Sequence, residues 1–244
     1  MAVRVLPRRY REALREAYSL ARRIDDAGDD PSAGTEERLA RLDALQAEVR
    51  SRHGGTAYEQ PFLYLIEANR LDQTVRRYPT YADLLGYCRL SADPVGRIVL
   101  AVFGVDDAET ARLSDRVCSA LQILEHCQDL AEDLRDRDRV YLPLEDLTRF
   151  DADVAHLHAH VTPANVRRLV AFEVDRAAQL LDDGAQIVGR LHGWARVAVA
   201  GYVAGGRATV DALRRASFDV LAGPPKPRKA DVLRHAAPLL AARA

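Results

Sequence analysis

Leu121–Asp136 reads LQILEHCQDLAEDLRD. Leu121, Leu124, Cys127 and Leu130 recur at three- and four-residue intervals, the spacing of one helix face. Gln122, Glu125 and Asp129 form a second stripe at i, i+3 and i+7, and Asp133 follows Asp129 by four residues. Polar side chains therefore interrupt a surface whose neighbours are apolar. Two carboxylates four residues apart lie on the same side of a helix and repel each other. Such a pair destabilises the helix unless positive charge lies between its members.

About a hundred residues earlier the pattern returns. In SLARRIDDAGDD (Ser19–Asp30), Asp25 and Asp29 stand four apart, as do Asp26 and Asp30. The plain reading of one such pair is a solvated face, here a helix end leading into a loop. Two matched pairs on separate helices, one among apolar residues, favour a cation site instead. Mg²⁺ prefers oxygen ligands, keeps several waters and is often shared between carboxylates and substrate phosphates. Two facing carboxylate pairs would hold a small metal cluster and, through it, a diphosphate. Arg22, Arg23 and the basic run Lys226, Arg228, Lys229 are expected to add counter-charge. An aliphatic cavity beside such a site would shelter a carbocation from water, which is terpenoid chemistry.

Composition agrees with a helical enzyme. The 244 residues are 48 % hydrophobic and 6 % aromatic, enough for a substantial aliphatic core. Gly (14) and Pro (11) are few, and the dominant Ala, Leu and Arg lose little freedom in helices. The 35 basic and 36 acidic residues leave a net charge of -1, so no nucleic-acid partner is expected. Cys88, Cys118 and Cys127 form no CxxC pair, which suits reduced thiols in the cytoplasm. No run approaches the ~20 apolar residues of a membrane span, and the charged N-terminus does not read as a signal peptide. Contact with a membrane surface and a homodimer are left open.

Helical spacing recurs along the chain and strand alternation is almost absent. Helices are expected over about 7–26, 35–49, 61–75, 81–104, 108–137, 164–192 and 194–220, with a short one closing the chain. Thr35 is expected to cap the second, and Pro94-Val95-Gly96 to bend the fourth. The expected architecture is one all-α domain, 1–244, of about eight helices.

The sequence resembles the squalene/phytoene synthase family, and most of all its bacterial members that act in hopanoid pathways. The resemblance rests on YSLARRIDDAGDD, IEANRLDQTVRRYPTYADLLGYCRLSADPVGRIVL, LQILEHCQDLAEDLRDRDRVYLPLEDL and AGYVAGGRATVDALRRASFDVL, in the family's order. It implies an all-α isoprenoid-synthase fold with two acidic motifs facing each other across a central cavity. It implies that Asp25, Asp26 and Asp29 of the first motif and Asp129 and Asp133 of the second are the metal ligands. Arg22, Gln122, Glu125, Gln128 and Arg228 fall on the substrate side, Tyr87 on the active-site tyrosine, and Asp72 in the middle segment facing the cavity. Glu125 stands where many relatives carry Asn, the loop from Asp133 to Tyr141 is one residue longer than usual, and Gly206 replaces a tyrosine of several head-to-head synthases.

The resemblance implies Mg²⁺-dependent ionisation of presqualene diphosphate with capture by water to give hydroxysqualene. Head-to-head condensation of two farnesyl diphosphates would use the same metal sites, as would cyclisation to a smaller terpene. A helical accessory subunit that binds an isoprenoid diphosphate without turnover is the alternative of another class. His156, His158 and His160 lack a fourth ligand at zinc spacing and read as a polar connection. The AGYVAGGR glycines follow no strand and read as close helix packing, not a dinucleotide fingerprint.

Overall fold

The computed structural model describes residues 6–241. Its elements are α1 (Arg8–Asp29), α2 (Thr35–His53), α3 (Glu59–Leu71), α4 (Tyr81–Ser91), α5 (Asp93–Val102) and α6 (Ala108–Gln128). After them come α7 (Leu130–Arg137), α8 (Leu144–Arg149), a 3-10 turn (Val154–His158), α9 (Ala164–Gly184), α10 (Ile187–Arg190), α11 (Gly193–Arg215) and α12 (Lys229–Ala241). No strand occurs among the described residues; a single bridge pairs Arg77 with Val140. None of these helices is long and apolar enough to cross a membrane. The first five residues of the N-terminal stretch, and the last three of the closing helix, lie outside the described residues.

Three expected helices are divided and α8 forms where none was expected, so twelve appear among the described residues in place of about eight. The 81–104 helix breaks at Ala92, just before the expected bend. Pro94 has no N–H to continue the ladder, but it is tolerated in the first turn of α5, where that donor would go unused. The 108–137 helix breaks at Asp129, whose φ of -96° and ψ of 8° lie in the sparsely populated bridge region. Aspartate competes with its own helix for backbone donors, so the break falls on a residue suited to it. The third helix ends at Leu71, short of Val75. The 164–192 stretch ends its long helix at Gly184. Gly34, not Thr35, is the N-cap of α2, whereas Thr80 and Asp83 close a reciprocal capping box on α4.

The long helices α6, α9 and α11 pack together. Gly206 of α11 belongs to that packing: a Cβ there would stand 2.6 Å from Leu121 and 2.8 Å from Leu181. The opposite end of the fold is a second cluster in which α1, α2 and α3 bury Ile24, Leu42, Val49, Phe62 and Ile66. Between the two lies a space bounded by the C-terminal part of α1, the end of α3, the α4–α5 junction and the α6–α7 junction.

Candidate active site

That space begins as a polar cavity of about 410 Å³. From α1 it receives Asp25 and Asp29; from the α6–α7 region it receives Glu125, Asp129, Glu132 and Asp133. The two acidic pairs inferred from spacing thus border one cavity, because four residues of helix return each pair to one face. The close approach of α1 to α3 has a specific requirement. A Cβ on Gly28 would stand 2.1 Å from Asn69 Oδ1, so only glycine allows Asn69 to sit there. Asn69 Nδ2 in turn donates to the Leu65 carbonyl at 3.0 Å and reaches Asp25 Oδ1 at 3.5 Å. Gln73 donates to the Gly28 carbonyl at 3.0 Å and ties the same two helices.

The cavity's cations come from a place that spacing did not suggest. Arg137 lies 3.4 Å from Asp133 and 3.6 Å from Asp29. Buried Arg139 lies 3.2 Å from Asp29 and 3.6 Å from Asp72, and donates to the Asp72 carbonyl at 2.9 Å. Its Nε is buried without a partner. The two arginines follow the second acidic motif in Arg137-Asp138-Arg139, immediately before VYLP. That alternating basic run was the available signal.

The wall opposite the acids is aromatic. Tyr87 donates to Asp72 Oδ2 at 2.8 Å, and the Tyr141 hydroxyl lies 3.4 Å from Asp72 Oδ1. The His126 ring stacks on Tyr141 with centroids 3.8 Å apart, and Tyr87 and Tyr141 are 5.2 Å apart. The Gln122 amide nitrogen donates to His126 Nε2 at 3.2 Å. Burial lowers the His126 pKa to about 3, so the imidazole is neutral and accepts that bond. Burial also raises Asp72 to about 6, against the pull of Arg139 and the Tyr87 bond. It raises Asp133 to about 7, opposed by Arg137. Asp25, Glu125 and Asp129 move upward as well, through burial first and then the charge of neighbouring carboxylates.

Seven residues expected at the site lie elsewhere. Arg22 and Asp26 pair with each other at 2.9 Å on the exposed face of α1. One residue turns the helix by about 100°, so Asp26 points away when Asp25 faces the cavity. Asp30 likewise pairs with Arg41 at 2.6 Å. Gln128 donates to the Pro225 carbonyl and ties the end of α6 to the segment before α12. Arg228 is exposed and does not border the cavity, and the same holds for Lys226 and Lys229. Arg23 pairs with Glu48 at 2.6 Å. Arg137 and Arg139 supply the cavity's counter-charge in their place.

Among the described residues, no three His, Cys, Asp or Glu side chains are drawn together at ligating distance. The donor set nevertheless fits Mg²⁺: all the acidic side chains present oxygens, and their number exceeds the two arginines facing them. Burial is the main reason Asp25, Asp129 and Asp133 are displaced upward, and neighbouring carboxylates add to it.

Beyond Glu125 the polar cavity meets an apolar one of about 240 Å³. Val99, Val117, Leu121, Val199 and Tyr202 line it, and Ser91, Val95, Gln122 and Glu125 border both. An acidic head with two arginines, opening into an aliphatic pocket in an all-helical frame, defines an isoprenoid synthase. The chain belongs to the squalene/phytoene synthase family, whose profile matches residues 52–234.

Curated relatives include hydroxysqualene synthases from Rhodopseudomonas palustris, 34 % identical over 199 residues, and Sinorhizobium fredii, 32 % identical over 197 residues. Each comparison covers 75 % of this chain and 67 % of the relative. Among solved structures, the squalene synthase HpnC from Alicyclobacillus acidocaldarius is 39 % identical, with a TM-score of 0.80. That match covers 89 % of this chain and 88 % of the other. The protein is an enzyme of this family.

Proposed function

We propose that the enzyme converts presqualene diphosphate to hydroxysqualene and releases diphosphate, with Mg²⁺ held by Asp25, Asp29, Asp129 and Asp133. The observation that carries this reading is the shared wall between the acidic cavity and the apolar one. It suits a substrate with a diphosphate head and a long hydrocarbon body, whose reacting carbon lies between them. The relatives named hydroxysqualene synthase favour hydroxysqualene as the product within that class.

Bound Mg²⁺ supplies Lewis-acid neutralisation of the departing diphosphate. The other roles belong to the chain. Arg137 and Arg139 offer guanidinium donors suited to phosphate oxygens. Gln122 borders the diphosphate end. The faces of Tyr87 and Tyr141 offer negative π density to a developing carbocation. Asp72, holding both hydroxyls, fixes the orientation of those rings. Leu121, Val99 and Val199 exclude water from the hydrocarbon.

The test is product analysis by gas chromatography–mass spectrometry, with presqualene diphosphate or farnesyl diphosphate supplied in Mg²⁺ or in chelator. Hydroxysqualene from presqualene diphosphate, absent in chelator, is the expected result. Product from farnesyl diphosphate would move the enzyme to condensation or cyclisation.

A further inference from the structure

A cavity that protects a carbocation is expected to be apolar around the reacting carbon. Here it is not. Of the four residues bordering both cavities, three are polar: Ser91, Gln122 and Glu125; only Val95 is not. Ser91 is the last residue of α4, immediately before the break at Ala92. Its hydroxyl is buried and makes no hydrogen bond within the protein. Gln122 uses its amide nitrogen on His126, which leaves its carbonyl oxygen unpaired among the described residues. The Glu125 carboxylate is open to solvent on the cavity side and has no hydrogen-bond partner among the described residues. Of the three groups only the Ser91 hydroxyl is buried, and a buried hydroxyl is nearly always satisfied, by protein or by ordered water. A water needs two to four polar partners and room beside them. The neck between the cavities offers both.

Resting on the function proposed above, we infer that Ser91, Gln122 and Glu125 hold the water that captures the carbocation, with Ser91 the residue that decides alcohol against hydrocarbon. The C–O bond to diphosphate breaks and its electron pair leaves with the diphosphate. After the cyclopropylcarbinyl cation rearranges, the water oxygen gives a lone pair to the cationic carbon. A C–O bond forms, an O–H bond breaks, and the proton passes to the released diphosphate. No electrons are gained or lost overall. Without that water the same cation loses a proton to diphosphate and becomes an olefin.

Ser91→Ala removes the hydroxyl and leaves space, whereas Ser91→Val fills the space. The native chain and both variants receive presqualene diphosphate and Mg²⁺ in H₂¹⁸O, and products are separated by mass spectrometry. The alcohol-to-olefin ratio is read within each reaction, so a change in total rate does not enter it. The native chain is expected to give alcohol labelled at oxygen. The ratio is expected to fall about tenfold in the Val variant, the order of one lost hydrogen bond, and less in the Ala variant. An unchanged ratio in both variants, with labelled alcohol from the native chain, overturns the inference and leaves the function standing. No consumption of presqualene diphosphate by the native chain overturns the function and this inference with it.

Discussion

Arg139 Nη1 stands 3.2 Å from Asp29 Oδ1, across 110 residues of sequence. The segment after the second acidic motif thereby reaches the first one, and Arg139 also touches the side chain and backbone of Asp72. One buried guanidinium joins α1, the end of α3 and the loop after α7.

Removing it leaves two carboxylates without that counter-charge, one of them buried. Breaking a buried ion pair costs about 3 kcal/mol or more, so Arg139→Met is expected to lower Tm by roughly 6–12 °C at this chain length. Arg139→Lys is expected to recover only part, because an ammonium cannot donate to Asp29 and the Asp72 carbonyl in the same fork geometry. A thermal melt by circular dichroism checks both. Equal Tm in all three proteins would show that the Arg139 contacts contribute nothing to stability.

The two acidic pairs of α1 separate by face, and activity should separate with them. Asp26 is exposed and bound to Arg22, an arrangement worth at most ~1 kcal/mol. Asp26→Ala is expected to keep turnover within about twofold. Asp25→Ala and Asp129→Ala remove oxygen donors from the cavity and are expected to cost about 100-fold or more. Steady-state kinetics on the three variants decides, and equal losses at Asp25 and Asp26 would return the site to the whole motif.

These outcomes bear on what the sequence could reveal. Spacing alone put Asp25 with Asp29, and Asp129 with Asp133, on one helix face each, because the helical repeat fixes which side chains share a face. That the two faces meet across one cavity is what the family resemblance implied. Spacing could not show which of the adjacent pairs, Asp25/Asp29 or Asp26/Asp30, faces inward. That depends on packing of Ile24 and Ala27 against distant helices. Nor could it locate the counter-charge, since Arg139 finds its partners only after the chain has turned back past α7. Pro94 signalled the break at Ala92 to within two residues, whereas the break at Asp129 went unread, because periodicity continues through a kink when both halves keep the same buried face.

Metal binding should release protons. Asp133 stands near pH 7 and Asp72 near pH 6 in the metal-free chain, both held up by burial. A carboxylate must be ionised to ligate, so Mg²⁺ affinity is expected to rise between about pH 6 and 8. Isothermal titration at pH 6.5 in two buffers of different ionisation enthalpy counts the protons. A heat independent of buffer would show that the Asp133 carboxyl takes no part. Asp133→Asn is expected to reduce the difference and weaken binding.

Away from the cavity, Glu173 of α9 is fully buried, 3.4 Å from Arg176, which itself binds Asp146 at 3.0 Å. Burial raises its pKa from 4.5 to about 8, with Asp146 adding to the shift and Arg176 opposing it. The folded chain therefore holds a proton that the unfolded chain has lost between about pH 4.5 and 8. Stability from this group is fully present below about 4.5 and falls as pH rises through about 8. Glu173→Gln keeps the shape and carries no titration, so it is expected to gain on the native chain as pH rises. The difference in Tm should move in the variant's favour by about 4 °C or more from pH 5 to 9, equivalent to ~1–2 kcal/mol. Melts of both proteins across that range test it. A constant difference would mean that Arg176 keeps Glu173 ionised throughout, and that the buried pair is an ion pair in the folded chain at every pH measured.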